Sequence, residues 1–186
     1  ICCWKFTDTT AELHTSIRPA RESIRALDVS PDGGLLAAAS SDNYIRVYAT
    51  ANLQEVAAWP AHSNSVFVVR FSPDGQRLLS GGRDAHLKAW AVQQEFKLLE
   101  DVAAHTFALN DLAFSPDGQH FATASMDKTL KLWESDTLRL RKVVDFARHE
   151  GHRSSVNRLL WLQSGELLSC SDDRQILQWR FEHSAA

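Results

Sequence analysis

The chain has 186 residues and a mass of 20.8 kDa, with 44% hydrophobic and 23% charged residues, the profile of one globular domain or two small ones. No run of about 18 uncharged apolar residues occurs, which excludes a membrane-spanning helix. Twenty basic against 23 acidic residues leave a net charge of −3, too balanced for a general polyanion binder.

In chain order, Ile1-Cys2-Cys3-Trp4-Lys5-Phe6 is an apolar, β-prone stretch with neither an initiator Met nor a signal peptide. It is expected to lie inside a folding unit, with residues 11–17 as the next strand. From there one pattern repeats. Ser30-Pro31-Asp32-Gly33, Ser72-Pro73-Asp74-Gly75 and Ser115-Pro116-Asp117-Gly118 recur at spacings of 42 and 43 residues. A degenerate copy, Gln163-Ser164-Gly165-Glu166, places its glycine 47 residues after the third. In phase with these turns, an aspartate precedes an aromatic residue: Asp42 and Tyr48, Asp84 and Trp90, Asp127 and Trp133, Asp173 and Trp179. His62, His105 and His152 precede the last three aspartates by 21 or 22 residues. Three motifs sharing one period mark a repeat architecture.

Each unit reads as four short strands. In the second, Ser65 to Phe71 is β-branched and aromatic, and Pro73 and Gly75 supply the backbone angles of a turn. Arg77 to Gly81 is the next strand, Gly82-Arg83-Asp84-Ala85 turns again, His86 to Trp90 alternates, and Phe96 to Ala103 closes the unit. No stretch carries a helical period long enough to compete. Short strands at this spacing mean an all-β fold, and a period near 43 selects a propeller over a sandwich.

At these motifs the chain resembles the WD-repeat (WD40) β-propeller family, although no Trp-Asp dipeptide survives: Trp90 is followed by Ala91, Trp133 by Glu134 and Trp179 by Arg180. The resemblance implies a single propeller segment over 1–186. Residues 1–17 end a preceding blade, blades occupy 18–60, 61–103 and 104–146, and a blade lacking its outer strand occupies 147–186. Three readings of this arc stand open. It is a piece of a longer propeller, one of two copies that lend residues 11–17 to each other's last blade, or a small self-closed ring.

Three blades contain a set that looks like a hydrolytic triad: His62, Ser80, Asp84 and Trp90; His105, Thr123, Asp127 and Trp133; His152, Ser169, Asp173 and Trp179. An active site occurs once, whereas this set occurs three times in phase. The resemblance implies a structural tetrad, in which an indole N–H donates to the hydroxyl and imidazole bridges hydroxyl to carboxylate. In the first blade Ala20, Ala38 and Tyr48 replace the other three members, leaving Asp42 alone, so this blade is expected to open first.

The resemblance also implies a non-enzymatic scaffold that holds a protein or peptide on the propeller rim. The family's contact positions fall on Ser23, Arg25 and Ser41; Ser65, Phe67 and Arg83; Ala108, Asn110 and Met126; and Ser155, Asn157 and Asp172. Phe67 and Met126 beside Arg25 and Arg83 are residue types that dominate hot spots. Two alternatives are a propeller hydrolase and a nucleic-acid adaptor using the basic segment 138–153, which sits where the repeat lengthens by about four residues. No nucleophile elbow or phosphate-cradling glycine loop supports the first, and edge protection of an outer strand accounts for the charges of the second. No metal or cofactor is expected, because the histidines lie in separate blades and Cys2-Cys3 makes a poor chelate. Cys2, Cys3 and Cys170 form no disulfide framework and fit a reducing compartment, so a cytoplasmic protein is expected.

Overall fold

A computed structural model describes residues 1–18 and 20–181. Strands β1 (Cys2–Phe6) and β2 (Ala11–Ser16) form an antiparallel pair. Three four-stranded antiparallel sheets follow. The first holds β3 (Ile24–Val29), β4 (Leu35–Ser40), β5 (Tyr44–Ala49) and β6 (Glu55–Pro60). The second holds β7 (Val66–Phe71), β8 (Arg77–Gly82), β9 (His86–Ala91) and β10 (Lys97–Ala103), the third β11 (Leu109–Phe114), β12 (His120–Ser125), β13 (Leu130–Glu134) and β14 (Leu140–Val144). A three-stranded sheet of β15 (Val156–Trp161), β16 (Leu167–Ser171) and β17 (Ile176–Trp179) completes the described chain. Within each sheet neighbours in sequence are neighbours in space. The inner strands β3, β7, β11 and β15 pack in succession as an open arc, so the small self-closed ring is not formed.

The core lies between blades, and side-chain alternation divides each strand between two interfaces. In β4, Leu36 and Ala38 face the β1–β2 pair with Tyr48, whereas Ala37 and Ala39 face the second blade with Val69, Leu78 and Trp90. In β8, Leu78 packs backwards on the first blade and Leu79 forwards against Leu112, Phe121 and Trp133. Burial on both faces is why these strands read as nearly continuous apolar runs. The aromatic near the end of the third strand packs on the preceding blade: Trp90 meets Trp59 edge-on at 5.4 Å, and Trp133, stacked at 6.1 Å on Phe121 of its own sheet, joins the cluster of Leu79 and Leu87 from the second blade.

The repeated turns are built alike. Ser30, Ser72 and Ser115 each donate to the following aspartate at 2.5 Å and accept the backbone N–H of Leu35, Arg77 and His120. Gly33, Gly75 and Gly118 have φ near +70°, which glycine adopts without a Cβ penalty. The lengthened connection before the last sheet folds as one helical turn, α1 (Phe146–His149), so the fold departs from all-β here. Asp145 caps α1 by accepting the Arg148 N–H at 2.8 Å. Four extra residues suffice for one capped turn, too short to show a helical period in the sequence.

Candidate functional site

The turns between the second and third strands of each sheet, and the connections between sheets, share one face. Hydrogen bonds tie them together. The residue before each turn aspartate donates its N–H to the residue preceding the inner strand: Ser41 to Ser23, Arg83 to Ser65, Met126 to Ala108, and Asp172 to Ser155. These four pairs are the rim positions singled out in the sequence.

The other rim residue of each blade is placed by a bulge. Pairing of the first two strands in every sheet skips one residue: Arg25 between Ile24 and Ala26, Phe67 between Val66 and Val68, Asn110 between Leu109 and Asp111, and Asn157 between Val156 and Arg158. A bulge leaves its extra residue out of the ladder and re-aims its side chain. The Arg25 guanidinium lies 5.0 Å from the centre of the Phe67 ring, a cation–π contact across the first two blades. In the later blades Asn110 Nδ2 donates to Ser155 Oγ at 3.1 Å, Ser155 donates to Asn157 Oδ1 at 3.1 Å, and Asn157 Nδ2 donates to Asp172 at 2.6 Å. One half of the rim is thus aromatic and cationic, the other a polar chain.

Beneath the rim, His62 Nδ1 lies 3.0 Å from Asp84, its Nε2 lies 2.8 Å from Ser80 Oγ, and Trp90 Nε1 donates to the same Oγ at 2.9 Å. The third blade repeats this with His105 at 2.9 Å from Asp127 and 2.8 Å from Thr123, which accepts from Trp133 at 2.9 Å. The last blade does so with His152 at 2.9 Å from Asp173 and 2.7 Å from Ser169, which accepts from Trp179 at 2.9 Å. Because indole only donates, the hydroxyl must give its proton to Nε2, and Nδ1–H then points at the carboxylate. Ser80 and Thr123 are fully buried, so no substrate reaches these hydroxyls.

Burial raises the Asp84 and Asp127 carboxyls, but the hydrogen bond and charge of the paired histidine outweigh it and hold both well below the usual carboxylate range. Backbone N–H groups of Ser63 and His86, and the hydroxyl and N–H of Thr129, add to the effect. Burial holds the His105 imidazole below its ordinary value despite Asp127.

In the first blade Asp42 is not alone, as the sequence suggested. Arg46, four residues further on in β5, binds it through Nη1 at 3.1 Å and Nη2 at 2.8 Å. Tyr48, in the Trp position, donates to Glu55 at 3.3 Å and is pushed up to about 12 by burial and that carboxylate. Sequence reasoning also missed Phe107, the 60%-exposed residue beside Ala108, because it matches no repeat motif. It missed an inter-blade charge cluster on the inner strands as well. Asp28 accepts the Phe71 N–H at 2.7 Å, buried Asp111 accepts the Leu159 N–H at 2.9 Å, and Arg70 lies between them at 3.9 and 3.6 Å.

The basic 138–153 segment does not converge. Arg141 pairs with Glu134 at 2.9 Å, His149 lies 3.9 Å from Asp145, His152 is buried in its tetrad, and Arg153 stacks on Phe146 at 4.3 Å. No group of three or more metal-ligating side chains gathers among the described residues. No helix of the structure is long and apolar enough to cross a membrane.

Sheets arranged around a common axis, tied to one another by buried His–hydroxyl–Trp networks and carrying a bulged residue at each rim, define a β-propeller segment. The model of the WD domain, G-beta repeat, matches residues 12–49, 53–91, 96–134 and 145–180. The chain belongs to the WD-repeat family. It is 32% identical over 108 residues to the transcription factor unc-37 of Caenorhabditis elegans, covering 58% of this chain and 17% of the worm protein. To the protein groucho of Drosophila melanogaster it is 27% identical over 107 residues, covering 57% of this chain and 15% of the fly protein. The chain therefore spans under a fifth of the length of these relatives. The solved structure of U3-55K superposes with a TM-score of 0.73 at 22% identity, over 87% of this chain and 53% of that one, a likeness of fold.

Proposed function

We propose that the chain is a non-enzymatic scaffold segment that holds a protein or peptide partner on the face bearing the rim residues. The observation that carries this reading is the inner-strand bulge repeated at Arg25, Phe67, Asn110 and Asn157, set at the rim end of the strand, on the face where the inter-sheet connections gather. Ladder pairing gains nothing from an unpaired residue, so a bulge kept in four blades argues for what its side chain meets outside the sheet. Half-buried Phe67, held under Arg25 and beside exposed Arg83, has the make-up of an interface anchor. The tetrads serve this face by fixing its loops, and their hydroxyls are spent on histidine and indole, which argues against hydrolysis there. The worm relative's name, a transcription factor, makes the nucleus as good a setting as the cytoplasm for a chain whose cysteines are free.

The test is a Phe67→Ala, Arg83→Ala double variant in quantitative affinity capture, with thermal melting alongside. The variant is expected to lose partners held by the unchanged chain while melting within a few degrees of it. Full retention of those partners refutes this face as the binding face.

A further inference from the structure

The charges of the two faces differ. On the face opposite the rim, a cavity of about 710 Å³ between the last two blades is lined by Arg141, Lys142 and Arg180, but Glu134 and Glu166 hold the two arginines at 2.9 Å. On the rim face the tetrad carboxylates are 7–9% exposed and committed to histidines and backbone N–H groups. Asp172 accepts from Asn157 and keeps its charge, but it stands on the last blade, away from the first three. The cations beside the tetrad carboxylates are exposed. Arg83 immediately precedes Asp84, Lys128 immediately follows Asp127, and Arg25 lies over Phe67. None of the three forms an ion pair among the described residues.

The same stretch of rim exposes apolar surface. Phe107 is 60% and Met126 56% exposed, and they are neighbours: Ser125 donates to the Phe107 carbonyl at 3.1 Å, and Met126 N–H to the Ala108 carbonyl at 2.9 Å. Phe67 lies on the same face in the adjacent blade, and Arg25, Arg83 and Lys128 stand at rim or turn positions of these three blades. The cation–π contact orients Arg25 without neutralising it, so its charge stays available to a ligand.

Resting on the reading of this face as a peptide-binding face, we infer that its ligand is an acidic polypeptide segment carrying a bulky apolar side chain, which docks across the first three blades. The apolar residue covers Phe107 and Met126 while flanking carboxylates meet the arginines. A nucleic-acid base can stack on Phe107, but one exposed ring and three cations make a short track for a polyanion, and the flexible Met126 suits an aliphatic side chain, so the peptide is favoured.

The probe is a labelled 16-residue peptide of Glu, Asp and Leu, titrated against the full chain by fluorescence anisotropy. A Lys-for-acid version of the peptide and a single-stranded oligonucleotide are run in parallel. The acidic probe is expected to bind, to weaken several-fold between about 50 and 200 mM salt, and to lose about tenfold in affinity in an Arg25→Glu, Arg83→Glu variant. Phe107→Ser is expected to weaken it comparably, with melting unchanged in both variants. Equal binding of the lysine probe, tighter binding of the oligonucleotide, no binding of the acidic probe, or an unchanged affinity in the arginine variant each overturns the inference. If the lysine probe binds and is lost on Phe67→Ala, the peptide-binding face stands and only its acidic preference falls. If the affinity-capture variant also keeps all its partners, both fall.

Discussion

Removing one oxygen atom tests whether the tetrad holds the fold. Ser80 Oγ is completely buried, donates to His62 Nε2 at 2.8 Å and accepts from Trp90 Nε1 at 2.9 Å. In Ser80→Ala both partners remain in place, each 5% exposed as a residue, and both lose the oxygen they share. Two buried polar atoms left unsatisfied cost about 1–3 kcal/mol each, so a loss of about 2–6 kcal/mol is expected. Against a domain stability of roughly 5–15 kcal/mol that is a large fraction. Urea denaturation followed by tryptophan fluorescence reads the loss as a lower midpoint at constant slope. Thr123→Ser, which keeps the hydroxyl, is expected to cost under about 1.5 kcal/mol from its lost methyl. The argument fails if Ser80→Ala costs less than about 1 kcal/mol, or if it costs the same when Trp90→Phe has already removed the indole donor, since a closed network requires coupling between the two.

Hydrogen exchange is expected to show residues 24–48 less protected than 109–133, because Arg46–Asp42 replaces a buried tetrad in the first blade; equal protection refutes this. Acid should destabilise the chain in two stages. His105, whose folded pKa is depressed, contributes stability that fades as the pH falls below about 6.5, and the depressed Asp84 and Asp127 carboxyls contribute stability that fades below about 4. His105→Gln should remove the first stage of a midpoint-versus-pH profile. At the alkaline end Tyr48, raised to about 12, contributes stability that is lost between pH 10 and 12, and Tyr48→Phe should flatten that limb. Gly82→Ala is expected to destabilise by several kcal/mol, since its Cβ would stand 2.3 Å from the Ser65 carbonyl oxygen. Ala85→Gly is expected to stabilise by about 1 kcal/mol, read as a higher urea midpoint, because Ala85 sits at φ +65° where glycine is unstrained. Opposite signs from these two neighbours, read in one urea series, check both.

The repeat made most of the fold legible. A turn needs proline and glycine at fixed places, and a second strand covered on both faces, such as β4 or β8, needs small or apolar residues throughout, so Ser72-Pro73-Asp74-Gly75 and its copies mark out the blades from local chemistry. The tetrads were readable through the family resemblance, since the donor and acceptor types of His62, Ser80, Asp84 and Trp90 recur in phase and allow a closed arrangement. What the blades do to one another is decided in three dimensions. Arg70 lies between Asp28, which holds the same repeat position one blade earlier, and Asp111, which is two residues out of that phase in the next blade, and the repeat alone does not bring the three together. Asp42 looked abandoned until strand geometry put Arg46 against it. The exposure of Phe107, the bulges that turn Arg25 and Phe67 outward, and the surplus of unpaired cations on one face follow from packing. A one-dimensional pattern specifies which residues must be buried; which of the remaining ones share a surface depends on how sheets twist and stack.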